Sequence, residues 1–290
     1  MFYSPLRYPG GKNKLAKFIA KICVDNNINN HYVEPYAGGA AVALYLLMEG
    51  KVSKITINDF DRSIYAFWYS VLKNTKKLCN LIEETDITIE NWQKAKEVQK
   101  KKENATLLEL GFSTFFLNRT NISGIINAGV IGGIEQKGKY KIDCRFNKKD
   151  LISRIKKIAE YKKNITIYKL DAVKLIKKIQ EKGLYSQTIF YFDPPYYLRG
   201  ASLYMNHYKN NQHIEVSSAI EKMEDMNINW ILSYDNTLEI DNIIYQWVPK
   251  SRKIKYSFNH SAYRAREGKE ILFFSKNLKF EKGINPIKIV

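Results

Sequence analysis

Short apolar runs recur along the chain and alternate with longer segments in which apolar residues return at helical spacing. A continuous apolar run is typical of a parallel strand that is buried on both faces. The runs that predict core strands are residues 31–33, 54–57, 165–168, 188–192 and 230–234. Because the segments between them predict helices, the alternation favours an α/β fold with a doubly wound, mostly parallel sheet.

Two parts of the chain depart from this alternation. Residues 253–256 and 270–274 predict a C-terminal antiparallel hairpin with a long basic loop. Residues 76–163 contain long charged helical segments around a polar stretch rich in glycine and asparagine, with no good core strand. We therefore expect residues 76–163 to be an inserted, largely helical domain, and residues 277–290 to be a poorly packed tail.

The composition favours a polyanionic partner. The chain has 290 residues, 45% of them hydrophobic, which suits one large globular domain or one domain with an insertion. Lysine and arginine number 47 against 29 acidic residues, which gives a formal net charge of +18. Such an excess indicates nucleic acid as the partner. The alternative is that the many lysines only solvate the surface.

The cysteines and the lengths of the apolar runs argue against other classes of protein. Cys23, Cys79 and Cys144 are widely spaced and form neither a CxxC pair nor a Cys/His cluster, so we predict no metal site and no disulfide framework. No apolar run approaches the ~20 residues needed to cross a bilayer, and no signal peptide is visible. The expected location is the reducing cytoplasm.

The clearest chemical signal is the turn Asp193-Pro194-Pro195-Tyr196, which directly follows the apolar run 188–192. Two consecutive prolines end the strand, because they neither extend a helix nor donate ladder hydrogen bonds. Asp193 thus lies at the carboxyl end of a core strand, where open α/β sheets bind ligands. Its carboxylate and the Pro194 carbonyl are two acceptors suited to an exocyclic amino group, with Tyr196 as a flat wall. The alternative is an Asp-capped turn.

A glycine loop, Glu34-Pro35-Tyr36-Ala37-Gly38-Gly39, joins the first predicted strand to a helix. Its glycines let a ligand approach the backbone and leave helix amides free. Asp59 ends the next strand about 20 residues later, where a carboxylate can accept both hydroxyls of a ribose. Asp171 ends a third strand in the same way. These residues predict an adenosine cradle, although Asp59 and Asp171, like Asp61, could instead cap helices.

Near the start of the chain, Arg7-Tyr8-Pro9-Gly10-Gly11-Lys12 places a ring and a lysine around a flexible turn. We expect Lys12 to meet the carboxylate of an amino-acid cofactor, and Tyr8 to pack on its sulfonium or ribose. The alternative is a loop that opens a helix over residues 15–22.

Taken together, these motifs resemble the Dam-type (D12 class, alpha group) DNA adenine-N6 methyltransferases, which use S-adenosylmethionine. Asn58-Asp59-Phe60 and Asn118-Arg119 with Ser123-Gly124 also match, in the order of the family. The resemblance implies a Rossmann-like methyltransferase fold. Its catalytic domain would comprise residues 1–75 and 164–276, and residues 76–163 would be the DNA target-recognition domain.

The resemblance also implies a role for each matching residue. The target adenine would be flipped out of the duplex. The residues that would act on this adenine are Asp193, Pro194, Pro195 and Tyr196. The aspartate and the Pro194 carbonyl would accept the N6 hydrogens, and the tyrosine would stack on the ring. Those that would hold the cofactor are Tyr8, Pro9, Gly10, Gly11, Lys12, Glu34, Pro35, Tyr36, Gly38, Asp59, Asp171 and Asp193. The expected DNA contacts are Arg7, Asn118, Arg119, Ile122, Ser123, Lys139, Arg145, Arg264 and Arg266.

The chain departs from its GATC-specific relatives in the predicted recognition domain. Those relatives carry an N-V-P-x-G-x-Y stretch, whereas this chain has Ile142-Asp143-Cys144-Arg145-Phe146-Asn147. Ile122 stands where they place an intercalating aromatic residue, and an apolar side chain can still wedge into a base step. GATC recognition is therefore not predicted.

Two rival functions stay open at this point. One is an RNA amino-group methyltransferase acting on guanine N2 or adenine N6, and the other is a catalytically silent DNA-binding relative. The partner we expect is double-stranded DNA, with a separately encoded restriction endonuclease as a further candidate. We also expect a monomer or weak dimer that associates with the nucleoid through DNA, in a bacterial, archaeal or phage-type setting.

Overall fold

One sheet organises the computed structural model, which describes residues 2–7, 12–181, 183, 187–197, 208–259 and 267–289. Its strands are β1 (His31–Glu34), β2 (Lys54–Asn58), β3 (Ile165–Tyr168), β4 (Thr188–Phe192), β5 (Asn229–Asp235), β6 (Lys253–Asn259) and β7 (Glu267–Phe274). Their order is β3-β2-β1-β4-β5-β7-β6, parallel from β3 to β5, with β7 antiparallel to both β5 and β6. The predicted α/β fold with its C-terminal hairpin is confirmed.

β4 shows why the apolar runs become central strands. Ile189 and Tyr191 belong to a hydrophobic core on one face of the sheet, and Phe190 and Phe192 belong to a second core on the other face. Burial on both faces accounts for the continuous apolar pattern. The helices that contribute to the first core are α1 (Ala16–Asp25), α2 (Ala41–Met48) and α3 (Arg62–Lys73). Those that contribute to the second are α8 (Ala172–Glu181) and α9 (Asn210–Asp225).

Residues 76–163 are largely helical, as the pattern predicts. The helices are α4 (Thr75–Glu84), α5 (Ile89–Lys100), α6 (Leu107–Thr120) and α7 (Lys148–Glu160). Their apolar side chains join the first core: Phe115 of α6 stacks on Phe67 of α3, with ring centroids 5.9 Å apart. This region therefore shares its core with the sheet, and its role as a target-recognition domain stays a prediction.

Gly111 marks a close approach of α6 to α3. A Cβ atom on Gly111 would lie 2.5 Å from both the Ala66 carbonyl oxygen and Ser70 Oγ. We expect Gly111→Ala to lower the free energy of unfolding by about 1–3 kcal/mol, because overpacking outweighs the helix propensity that alanine adds. Gly129→Ala is the control, since nothing lies within 4 Å of its Cβ position. Urea unfolding compares the two variants, and equal stabilities would contradict this packing.

The C-terminal segment packs closely. Phe280 stacks on Phe274 with ring centroids 4.1 Å apart, and Leu278 is buried. Asn26 and Lys279 exchange two hydrogen bonds, of 2.7 and 2.8 Å. The prediction of a poorly packed tail is therefore wrong for residues 278–280.

All three cysteines are free thiols, with Cys23 and Cys79 buried and Cys144 exposed. Burial raises the pKa of the Cys23 thiol to about 12, so it stays protonated and unreactive at neutral pH. Within the described ranges, no helix has both the length and the apolar character that crossing a lipid bilayer demands.

Candidate active site

A cavity of about 340 Å³ opens at the carboxyl ends of β1 and β4. The strand order reverses here, because β1 has β2 on one side and β4 on the other. Open α/β sheets bind ligands at such a switch point, and the volume lies within the roughly 300–1,000 Å³ of small-molecule sites. The predicted site residues that line it are Arg7, Lys12, Glu34, Tyr36, Asp59, Ser123, Asp193 and Pro195.

Three side chains hold the glycine loop in place: Asn58 at the end of β2, Asp59 directly after β2, and Trp68 of α3. Gly38 has a positive φ of 44°, a conformation that glycine adopts without steric cost. Its N–H donates to Asp59 Oδ2 at 3.0 Å, and its carbonyl accepts from Trp68 Nε1 at 2.9 Å. Asn58 Nδ2 donates to the Pro35 carbonyl at 2.9 Å. The loop is therefore a fixed wall of the cavity.

Asp59 presents a carboxylate to the cavity. Its oxygens accept from the N–H groups of Gly38 and Asp61, the latter at 2.9 Å. Burial, with a contribution from Asp61, raises the pKa of Asp59 to about 7. Asp61 caps α3, since its Oδ1 accepts from the Ser63 N–H at 2.7 Å. The alternative that Asp59 caps α3 is therefore wrong.

Phe60 is a cavity residue to which the sequence motifs assign no role. It is 62% exposed and lines the cavity next to Asp59. A large aromatic side chain at this position offers a flat apolar face for a ring system. The sequence feature that could have identified Phe60 is its position directly after Asp59, the acidic residue that follows β2.

Asp171 has a different environment from Asp59. Its Oδ1 accepts from the N–H groups of Val173 at 2.9 Å and Lys174 at 3.4 Å, so it caps the start of α8. It does not contribute to the cavity wall formed by the described residues. The structure shows the capping role, and a cofactor contact by Asp171 stays a prediction.

Asp193 follows β4, and one of its carboxylate oxygens is held by two partners. Oδ1 accepts from Ser233 Oγ at 2.7 Å and lies 3.1 Å from Lys12 Nζ. The Tyr191 hydroxyl lies 2.8 Å from Ser233 Oγ and fixes the serine. Across the described residues, no hydrogen bond to Oδ2 is found. Burial raises the pKa of Asp193 to about 6, an effect that Lys12 opposes and Glu270 reinforces.

Lys12 bridges two carboxylates. Its Nζ lies 3.1 Å from Asp193 Oδ1 and 2.8 Å from Glu270 Oε1, and it donates to the Tyr196 hydroxyl at 2.9 Å. Burial alone would lower the pKa of Lys12, but Asp193 and Glu270 raise it well above its ordinary value. Lys12 is therefore a buried cation beside Asp193. Its predicted contact with a cofactor carboxylate stays a prediction.

Tyr196 is packed behind the turn rather than along the cavity. Its ring is 4% exposed, and its hydroxyl donates to Glu270 Oε1. Glu270 Oε2 accepts from the Tyr256 hydroxyl. Stacking of Tyr196 on a base stays a prediction, and it requires the ring to leave Glu270. Sequence reasoning missed both Glu270 and Ser233, whose only signals were polar residues inside apolar strands.

Glu34 carries a buried oxygen for which the described residues supply no hydrogen-bond partner. Its Oε1 accepts from the Tyr32 hydroxyl at 3.3 Å, while no hydrogen bond reaches Oε2 from the described part of the chain. Burial and the nearby Asp193 raise the pKa of Glu34 well above its ordinary value. An unsatisfied buried polar atom costs about 1–3 kcal/mol. A polar ligand group in this cavity would therefore be stabilised at Oε2.

Asn118 joins the start of the chain to α6. It is 1% exposed, its Oδ1 accepts from the Arg7 N–H at 2.7 Å, and its Nδ2 donates to the carbonyls of Arg7 at 2.8 Å and Gly124 at 2.9 Å. Gly124 lies against the same backbone, since a Cβ there would be 2.2 Å from the Arg7 oxygen. A direct contact between Asn118 and DNA would require these bonds to break.

Of the other predicted DNA contacts, Arg7 and Ser123 line the cavity, whereas Arg119, Ile122, Lys139 and Arg145 do not. Burial and the charge of Arg7 lower the pKa of Arg119 to about 10, and its Nε has no partner among the described residues. Ile122 is 55% exposed, and both Lys139 and Arg145 are exposed. These contacts stay predictions. The predicted residues that lie outside the described part of the chain are Tyr8, Pro9, Gly10, Gly11, Arg264 and Arg266.

Comparison with known proteins identifies the family. The profile of the D12 class N6 adenine-specific DNA methyltransferases matches residues 8–265, a span that includes the glycine loop, Asp59 and Asp193. The chain is also 26% identical over 211 residues to the Type II methyltransferase M.MjaIII of Methanocaldococcus jannaschii, which covers 66% of this chain and 68% of that protein. The chain therefore belongs to the D12 class N6 adenine-specific DNA methyltransferase family.

Proposed function

We propose that this protein is a site-specific enzyme of the Dam-type alpha group. It transfers the methyl group of S-adenosylmethionine to N6 of an adenine that is flipped out of duplex DNA. The observation that carries the proposal is the carboxylate of Asp193. Ser233 and Lys12 hold its Oδ1, while Oδ2 has no partner in the described structure and the residue lines the cavity.

The residues around the cavity fit the cofactor, which supplies a methyl group on a positively charged sulfonium when it is bound. Asp59 would accept the ribose hydroxyls, and Phe60 would lie against the adenine of the cofactor. Glu34 Oε2, which is buried without a partner in the described chain, would meet the amino group of the methionine portion. The fixed glycine loop would form the floor of this site.

Asp193 Oδ2 and the Pro194 carbonyl would accept the two N6 hydrogens of the target. These bonds withdraw the N6 lone pair from conjugation with the ring and direct it towards the incoming methyl carbon. When N6 displaces the methyl group from the sulfonium, it would become cationic, and Asp193 Oδ2 would accept the proton that it then releases. Much of the acceleration would come from holding two reactants in line.

The charge of +18 supports a DNA substrate. Lysine and arginine contacts with phosphates would make binding fall steeply as salt rises. Residues 76–163 would read the target sequence, and residues 1–75 with 164–276 would form the catalytic domain. A separately encoded endonuclease would be the partner if the enzyme protects DNA from restriction.

Labelled methyl transfer tests the proposal. The purified protein is incubated with tritiated S-adenosylmethionine and either duplex DNA lacking adenine methylation or total RNA, and the digested product is analysed by chromatography. We expect label in N6-methyladenine from DNA, and long-read sequencing then gives the site. Label confined to RNA would support the RNA alternative, and DNA binding without cofactor binding in calorimetry would support the silent relative.

Asp59→Ala tests the cofactor site. Loss of a charge-assisted hydrogen-bond partner costs about 1.5–3 kcal/mol, so we expect the Kd for S-adenosylmethionine to rise roughly 10- to 100-fold in calorimetry. Asp171→Ala provides the comparison, since this strand-ending aspartate caps α8. If Asp171→Ala lowers the Tm but leaves the Kd unchanged, capping is its only role. An unchanged Kd in Asp59→Ala would contradict the ribose contact.

A further inference from the structure

Glu270 places a carboxylate inside an apolar strand. It is 2% exposed on β7, and the four residues after it are fully buried hydrophobic residues. A buried carboxylate is costly unless it is paired and hydrogen-bonded. A charged group at this position therefore needs compensating contacts, and those contacts lead to the active site.

Both oxygens of Glu270 have partners. Oε1 accepts from Lys12 Nζ at 2.8 Å and from the Tyr196 hydroxyl, and Oε2 accepts from the Tyr256 hydroxyl. Tyr256 is the residue opposite Glu270 in the register of β6 and β7. The hairpin thus fixes the carboxylate from one side, while Lys12 and Tyr196 contact it from the side of the Asp193 turn.

Lys12 connects Glu270 to Asp193. The ammonium has three N–H donors, and its contacts are Asp193 Oδ1, Glu270 Oε1 and the Tyr196 hydroxyl. One buried cation is therefore shared between two buried carboxylates. Glu270 limits how fully Lys12 neutralises Asp193, and it also fixes the position of the ammonium that holds Oδ1.

We propose that Glu270 is a positioning residue that acts on Asp193 through Lys12. It holds the ammonium where Asp193 Oδ1 is fixed but only partly neutralised, so that Oδ2 keeps the electron density needed to accept an N6 hydrogen. This inference rests on the proposed function, in which Asp193 binds the target amine.

The charges around Asp193 give the sign of the expected effect. The titratable groups that interact with it are Lys12, Glu270, Glu34 and Tyr191, while Tyr196 and Tyr256 contact the Glu270 carboxylate. Of these, Lys12 lowers and Glu270 raises the pKa of Asp193. Replacing Glu270 with glutamine removes the raising charge and leaves Lys12 paired with Asp193 alone. The pKa of Asp193 should therefore fall, and its Oδ2 should become a weaker acceptor.

Glu270→Gln is the test. We expect kcat at pH 7.5 to fall by up to about tenfold and the acid limb of the kcat–pH profile to move about one unit lower, while the Kd for S-adenosylmethionine stays within about twofold. Carbon-13 NMR of aspartate-labelled protein, assigned with Asp193→Ala, measures the Asp193 titration directly without cofactor or DNA. The same downward shift is expected there, so the proposal can be judged even if the protein proves not to methylate DNA.

Two further variants make the result decisive. Glu270→Asp keeps a buried carboxylate but retracts it from Lys12 by one methylene. It is the variant to measure if Glu270→Gln does not fold, and we expect a smaller decrease in the pKa of Asp193. Glu281→Gln removes an exposed charge and should leave the titration unchanged. A lower Tm with an unshifted Asp193 titration in both Glu270 variants would show a merely structural role and overturn the proposal.

Discussion

We expect the replacement of Asp193 with alanine to abolish methyl transfer and to leave the fold intact. We expect kcat to fall by roughly 10³-fold or more, because the variant would lack the group proposed to orient N6 and to take its proton. The fold should survive, since Lys12 keeps its ion pair with Glu270. The measurement is single-turnover transfer of labelled methyl to duplex DNA, with circular dichroism as the check on folding.

The same carboxylate determines how the wild-type enzyme responds to pH. With the pKa of Asp193 at about 6, the active ionised form is lost below that pH, and kcat should fall about tenfold per pH unit there. The pKa of Asp193 lies above its ordinary value of about 3.9, so its contribution to stability is present at low pH and is lost as the pH rises through about 6. Asp193→Ala should therefore gain stability relative to wild type between about pH 4 and 7.

The affinity of Asp193→Ala for S-adenosylmethionine distinguishes a loss of catalysis from misfolding. The Kd for S-adenosylmethionine in Asp193→Ala should stay within about tenfold of wild type, because most of the proposed cofactor contacts come from other residues. Near-normal methyl transfer by this variant would remove Asp193 from the mechanism.

The second large effect concerns Lys12. Lys12→Met leaves Asp193 and Glu270 as two buried carboxylates without their shared cation, and breaking a buried ion pair in this way costs about 3–5 kcal/mol. We expect that loss in the free energy of unfolding at pH 8, together with loss of activity. Without the cation, which lowers the pKa of Asp193, that pKa rises further, so stability falls as the pH increases, and the loss should be smaller at pH 5.

Urea unfolding at pH 5 and pH 8 measures this dependence. Lys21→Met is the matched control, because Lys21 forms an exposed pair with Asp25 and its removal should change stability by less than about 0.5 kcal/mol. If Lys12→Met proved as stable as Lys21→Met at pH 8, the buried cation would not be needed to hold the two carboxylates.

Sequence patterns and turn chemistry were sufficient to predict the strands of the sheet and part of the cavity wall. Parallel strands bring their carboxyl ends to one edge, so acids that follow apolar runs, such as Asp59 and Asp193, converge there by topology alone. Asp171 follows the same rule in sequence but caps α8 instead. Asp59 differs in that it also accepts from the Gly38 N–H of the glycine loop, a contact that the motif does not encode.

The contacts that fix Asp193 could not be predicted from sequence patterns, because they join residues that are far apart in the chain. Lys12 and Glu270 are 258 residues apart, and their pairing follows from the antiparallel insertion of β7 beside β5. No sequence motif relates Lys12 to Glu270. The bounds of helix α6 could not be predicted within this largely helical region, because the helix is apolar around much of its circumference and has little of the one-sided periodicity that identifies surface helices.

The pairing of Arg7 with Asn118 has a consequence for protein engineering. The Asn118 side chain accepts from the Arg7 N–H and donates to the Arg7 carbonyl, and Lys12 follows Arg7 by five residues. Exchanging residues 76–163, the proposed recognition region, with those of a relative would also replace the side chain that anchors the amino-terminal segment. Chimeras should therefore carry residues 4–7 together with the helical region from the same parent.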